Sequence, residues 1–201
     1  MSKRAPAGPL DKRTAHLSVD MQRMFAEETA WHAPWTARVL PRIERLVAAF
    51  PERTIFTRFV PPRSPAAATG AWRRYYEHWS EMTLDRIDPG LVELVPALAR
   101  FVPPATVVDK GEYSSFRAPA LEPLLRARGI ESLIVTGVET DVCVLATILA
   151  AVDAGYHVIV PTDAICSSSD ETHDALLKLY RARYGEQVEP TTVESVLARW
   201  R

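Results

Sequence analysis

Leu133-Ile134-Val135-Thr136-Gly137-Val138-Glu139-Thr140-Asp141-Val142-Cys143-Val144-Leu145-Ala146-Thr147 reads as a strand, a tight turn and the start of a helix. The apolar run 133–135 comes first, and Cys143 opens an apolar segment that extends to Ala154 and stops before Gly155. The same alternation recurs on either side. Strands are expected over 15–19, 54–57, 106–108, 132–135, 157–160 and 187–189, and helices over 36–50, 119–128, 141–154, 171–184 and 193–200. Strands that alternate with helices call for an α/β domain of three layers: a six-stranded, mostly parallel, Rossmann-like sheet with helices on both faces. A flexible N-terminal arm is expected over 1–13 and a single domain over 14–201.

Composition narrows the class. The chain has 201 residues, enough for one full hydrophobic core, and a formal net charge of −1, which gives no electrostatic footprint for nucleic acid or an anionic membrane. No run approaches the roughly 18–20 apolar residues of a membrane span, and no signal peptide is recognisable. The two cysteines, Cys143 and Cys166, are too few for a disulfide framework, so a soluble cytoplasmic protein is expected. The five histidines are scattered without a metal-ligand spacing, and no metal or cofactor is expected. The turn from Asp20 to Phe25 has no glycine, which argues against a dinucleotide-binding domain.

The interval from Val60 to Ala105 is long for a compact domain and reads as a lid or an interface element. Within it Trp72, Tyr75, Tyr76 and Trp79 recur at one-face helical spacing. An ordinary buried stripe or subunit contact is favoured there over a pocket wall.

Ligands of parallel α/β sheets bind beyond the carboxyl ends of the strands. Three such ends carry reactive groups: Asp20 after the first, Lys110 after the third and Cys143 after the fourth. Alone, each has a plainer reading: a turn carboxylate, a solvated ammonium, a small buried hydrophobe. Together they make a hydrolytic set. A thiol in a helix's first turn is expected to lose its proton more readily than a free one. Asp20 takes that proton as general base and returns it to a leaving amine. Lys110 favours the charged forms, and Cys143 attacks a carbonyl to form an acyl-enzyme.

Asp20-Met21-Gln22-Arg23-Met24-Phe25, Lys110 with Tyr113-Ser114-Ser115-Phe116, and Gly137 to Val144 resemble the isochorismatase-like cysteine hydrolases. Downstream, Gly155 to Ala164 resembles that family's next strand and Asp-Ala turn. The resemblance implies an Asp20–Lys110–Cys143 triad and a homo-oligomer, dimer or tetramer. It also implies a cis bond at Val138–Glu139 and an oxyanion hole from the backbone N–H groups of Glu139 and Cys143. Phe25, Arg58, Trp72, Tyr113, Phe116 and the Glu139 side chain are the candidate pocket residues, and Cys166 reads as structural. Nicotinamidase-type members carry an Asp-x-His metal motif where this chain has Thr57-Arg58-Phe59, so a metal-assisted nicotinamidase is not expected. Retention of the cysteine favours cleavage of a C–N bond in a small amide, ureide or carbamoyl substrate. The alternatives are a non-catalytic small-molecule binder of the same fold and an isochorismate-type vinyl ether hydrolase.

Overall fold

The computed structural model describes residues 9–201. Its strands are β1 (Thr14–Val19), β2 (Thr54–Phe59), β3 (Thr106–Lys110), β4 (Ser132–Val138), β5 (His157–Pro161), β6 (Ile165–Cys166) and β7 (Val188–Thr191). Its helices are α1 (Arg23–Ala26), α2 (Thr36–Ala49), α3 (Gly70–His78), α4 (Pro96–Ala99), α5 (Leu121–Ala127), α6 (Leu145–Asp153), α7 (Asp170–Arg183) and α8 (Val193–Arg199). All six expected strands are present. The sheet has a seventh, because Ile165 and Cys166 pair with Gly137 and Val138 beyond the end of β5. Two residues are too short to leave a periodic signature.

Strand order is β3-β2-β1-β4-β5-β7, and the ladders between these strands are parallel. The chain winds from β1 through β2 to β3, then crosses back to place β4 on the other flank of β1. The sheet therefore reverses its winding between β1 and β4, which opens a crevice at their carboxyl ends. Asp20 leaves β1 at that crevice and Cys143 follows β4 into it.

Alternation along the strands builds two apolar layers. Phe56, Ile134 and Ile159 face one layer, closed by Val39, Ile43 and Leu46 of α2, Leu98 of α4 and Val196 of α8. Ile55, Leu133 and Val135 face the other, closed by Leu121 and Leu125 of α5, Ile148 of α6 and Tyr180 of α7. The α2 residues recur at i, i+4 and i+7, the stripe an amphipathic helix lays on a sheet. His16 sits in the sheet between Thr54 Oγ1, 3.3 Å away, and Thr136 Oγ1, 2.8 Å away. Its burial lowers its pKa to about 3, so it is neutral in the folded protein near pH 7.

Of the arm expected over 1–13, residues 1–8 lie outside the described residues. Leu10 is buried and tied to the chain's far end: its N–H donates to Arg199 O and its carbonyl accepts from Arg201 N–H, both at 2.9 Å. The long interval after Val60 is structured. It contains α3 and α4 and returns over the end of β1, where Val95 N–H donates to Met21 O at 3.0 Å and Arg23 N–H to Glu93 O at 2.9 Å.

Candidate active site

Asp20 occupies the turn after β1 with φ of 51°, in the left-handed region that aspartate tolerates better than most side chains. Its backbone N–H donates to Thr57 Oγ1 at 3.1 Å, and the Thr57 hydroxyl in turn donates to Asp20 Oδ1 at 2.6 Å. Gly137 passes so close to this turn that a Cβ there would lie 2.0 Å from the Val19 carbonyl oxygen. Only glycine also accepts its φ of 111° without strain.

Lys110 ends β3, two strands from β1, and its side chain reaches across the end of β2. Its Nζ lies 2.7 Å from Asp20 Oδ2, donates to Glu112 O at 3.1 Å, and stands 5.0 Å from the centre of the Phe59 ring. Both side chains of the pair are fully buried. Burial is the largest single influence and opposes the lysine's charge, but Asp20 and Cys143 together outweigh it and hold the ammonium above its ordinary pKa.

The expected helix over 141–154 is divided. Thr140–Val144 form a π-helical turn that holds Cys143, and α6 continues from Leu145. Asp20 and Lys110 both act on the thiol through their charges. The expected ease of deprotonation is not met: burial, then the Asp20 charge, pushes the thiol pKa well up, and Lys110 offsets only part of this. At 6% exposure, loss of hydration outweighs any helix-end effect. The Val138–Glu139 bond is cis, as the family resemblance implied.

Aromatic rings cluster near the trio. Trp72 and Tyr75 pack on Tyr113, with ring centres 4.7 and 6.4 Å apart, and Tyr76 packs on Trp72 and Tyr75. Phe25 stacks on Trp31, which also meets Phe59 and Tyr75. The stripe at 72–76 thus lies against site residues instead of forming only a remote core face. Tyr75 and Tyr76, both raised in pKa chiefly by burial, also feel charge at Cys143. The Glu139 side chain is half-buried, accepts the Ser168 N–H at 3.0 Å, and bears electrostatically on Tyr75 and Tyr113.

Two expected pocket residues lie elsewhere. Arg58 is held by Asp109 at 2.8 and 2.9 Å and by Glu93 at 2.6 Å, because strand alternation turns it away from the face that Thr57 gives to Asp20. Phe116 packs on Tyr156, 5.8 Å between centres, because the turn sends Ser115 inward to Thr147 instead. Cys166 is buried beside Thr36, and burial pushes its thiol pKa up to about 12. Two residues were missed. Thr57 grips Asp20, and Gln22 ties β2 to the returning interval through Phe59 and Val92. A single Thr within a strand or a single Gln before a short helix carries no pattern; only its position against Asp20 and Phe59 marks it.

The residues do not fit a resident metal. Among the described residues no three His, Cys, Asp or Glu side chains gather as a metal site needs, and Thr57 is already committed to Asp20.

A parallel sheet with a thiol, a carboxylate and an ammonium at its winding reversal defines a class, and comparison with known proteins names it. The isochorismatase domain model matches residues 14–194, and the chain belongs to the isochorismatase family. A cysteine hydrolase from Pseudomonas syringae pv. phaseolicola has the same fold at 30% identity and a TM-score of 0.83, covering 99% of this chain and 98% of its own. The isochorismatase family protein YwoC of Bacillus subtilis is 28% identical over 87% of this chain and 89% of its own length. Maleamate amidohydrolase of Pseudomonas putida is 30% identical over a shorter stretch, 41% of this chain and 38% of its own.

Proposed function

We propose that this protein is a metal-independent hydrolase that cleaves the C–N bond of a small amide, ureide or carbamoyl compound through an acyl-enzyme on Cys143. The observation that carries this reading is the fully buried Asp20–Lys110 pair, 2.7 Å apart, acting on a thiol that burial keeps protonated. Transfer of the thiol proton to Asp20 leaves the net charge of the trio unchanged, so it avoids the cost of creating a new buried charge. The sulfur attacks the substrate carbonyl as that proton leaves. The negative oxygen of the tetrahedral intermediate is received by the backbone N–H groups of Glu139 and Cys143, where one donor is worth about 100–1000-fold in rate.

Asp20 then returns its proton to the departing nitrogen, the C–N bond breaks and a thioester remains. Water attacks the thioester while Asp20 accepts a proton from it, the C–S bond breaks to release the carboxylic acid, and Asp20 passes its proton to the departing sulfur, which regenerates the thiol and the carboxylate. Lys110 keeps the carboxylate in place and balances its charge throughout. Amide cleavage by a relative such as maleamate amidohydrolase supports the reaction class.

The test is turnover of a panel of small amides and ureides before and after chelation. Unchanged turnover in chelator, with loss in Cys143→Ala and in Asp20→Asn, is expected. Turnover that survives in Cys143→Ala, or that a chelator abolishes, contradicts the reading.

A further inference from the structure

The trio uses up its own charges: Lys110 faces Asp20 in a closed pair. The other cations of the neighbourhood are engaged as well. Arg58 is clamped by Asp109 and Glu93, and the largely exposed Arg117 stands 3.7 Å from Glu112. The carboxylates are less balanced. Glu139 immediately precedes the turn that holds Cys143, forms no ion pair among the described residues, and has the Ser168 N–H as its hydrogen-bond donor. Its neighbour Asp141 is bound by Ser167 at 2.5 Å and bears on Tyr180, on the other side of the turn. His173 is engaged by Thr140 at 2.8 Å.

Gly111 and Glu112, which follow Lys110 in the chain, line a cavity of about 280 Å³ together with Thr69, Trp72 and Tyr76, and Tyr76 also feels Cys143 electrostatically. Tyr76 is 1% exposed, and its hydroxyl is buried without a hydrogen-bond partner. A buried hydroxyl left unpaired is costly, and a ligand N–H group removes that cost. An indole wall, a hydroxyl and the Glu112 carboxylate, whose 3.7 Å pair with Arg117 is long and solvent-exposed, are the elements that receive an ammonium group, through the ring face and through accepted hydrogen bonds. No Lys or Arg side chain lines the cavity.

We propose that the site takes amides whose non-reacting end carries an amino or ammonium group, received by Trp72, Tyr76 and Glu112 under the field of Glu139, and rejects amides that end in a carboxylate. This rests on the hydrolase reading for the reaction, but the charge preference is measurable without turnover. Three methanethiosulfonates of similar size, one neutral, one trimethylammonium and one sulfonate, form a disulfide with Cys143 and release methanesulfinate. Their rates are followed on the Cys143 peptide by mass spectrometry.

Normalised to the same ratio for 2-mercaptoethanol, the cationic reagent is expected to outpace the anionic one by about tenfold. Glu139→Gln, whose amide oxygen still accepts from Ser168, is expected to reduce this to about twofold, and Glu112→Gln to reduce it by less. A normalised ratio at or below one, or one unchanged in a folded Glu139→Gln protein, overturns the proposal. The matched amides β-alaninamide, butyramide and succinamate give the second readout. If they turn over, kcat/KM is expected to fall in that order. Turnover with succinamate preferred leaves the hydrolase reading standing and overturns the substrate class alone.

Discussion

Replacing Thr57 with valine tests the least visible part of the site. The Thr57 hydroxyl accepts the Asp20 N–H at 3.1 Å and donates to Asp20 Oδ1 at 2.6 Å, and both residues are completely buried. Valine keeps the shape and removes both bonds. A hydrogen bond to a charged group contributes about 1.5–3 kcal/mol, and a buried donor left unsatisfied costs about 1–3 kcal/mol. The two losses share one side chain and overlap, so Thr57→Val is expected to destabilise the fold by about 3 kcal/mol. With a urea slope near 2.5 kcal/mol/M, the unfolding midpoint should fall by about 1.2 M. Thr57→Ser keeps the hydroxyl and should stay within about 1 kcal/mol of the parent. Amide turnover should fall with Thr57→Val and largely persist with Thr57→Ser, since the base loses one of its two holders. A Thr57→Val midpoint within about 0.3 M of the parent would refute the claim that this hydroxyl secures Asp20.

Three other substitutions probe the same frame. Lys110→Met leaves the Asp20 charge buried and unpaired and should cost about 3–5 kcal/mol, while the double variant with Asp20→Asn should cost clearly less than the two single losses added; strict additivity in urea unfolding would count against the pair. His16 has a folded pKa lowered to about 3 from 6.5, so between those values the unfolded chain binds a proton that the folded chain refuses, and stability falls as pH falls through that window. From pH 7 to about pH 4.5 this group should remove about 2.5 kcal/mol, a loss that His16→Gln lacks; parallel pH profiles for the two proteins would contradict the assignment. Gly137→Ala forces a Cβ against the Val19 carbonyl and should give little folded protein, whereas Gly155→Ala, with open space at its Cβ site, should fold at a cost of about 1 kcal/mol; equal melting temperatures would be inconsistent with the close strand approach.

How much of this was legible in the sequence depends on whether a residue stands at a position that topology makes special. Asp20, Lys110 and Cys143 each terminate a strand or follow one through a turn, and parallel sheets gather such ends, so three distant positions were read together. Thr57 lies inside β2, where one hydroxyl in a β-rich run looks like any other strand threonine. Arg58 lies one step of alternation from the site, since its neighbour Thr57 owns the face toward Asp20. Phe116 followed a motif correctly in sequence but not in direction, because Ser115 takes the inward position. A place near a helix start suggests an acidic Cys143. Burial decides its acidity, and that burial comes from an apolar layer that strands and helices from distant parts of the chain build around the thiol.

The central claim is that Cys143 carries the acyl group, and intact-protein mass spectrometry reads this directly. Protein mixed with an amide substrate and quenched in acid within the first turnovers should gain the mass of the acyl half. Peptide mapping should place that mass on Cys143 and leave Cys166 unmodified. Substrate cleaved with no adduct on Cys143, or with the adduct on Cys166, would contradict the account.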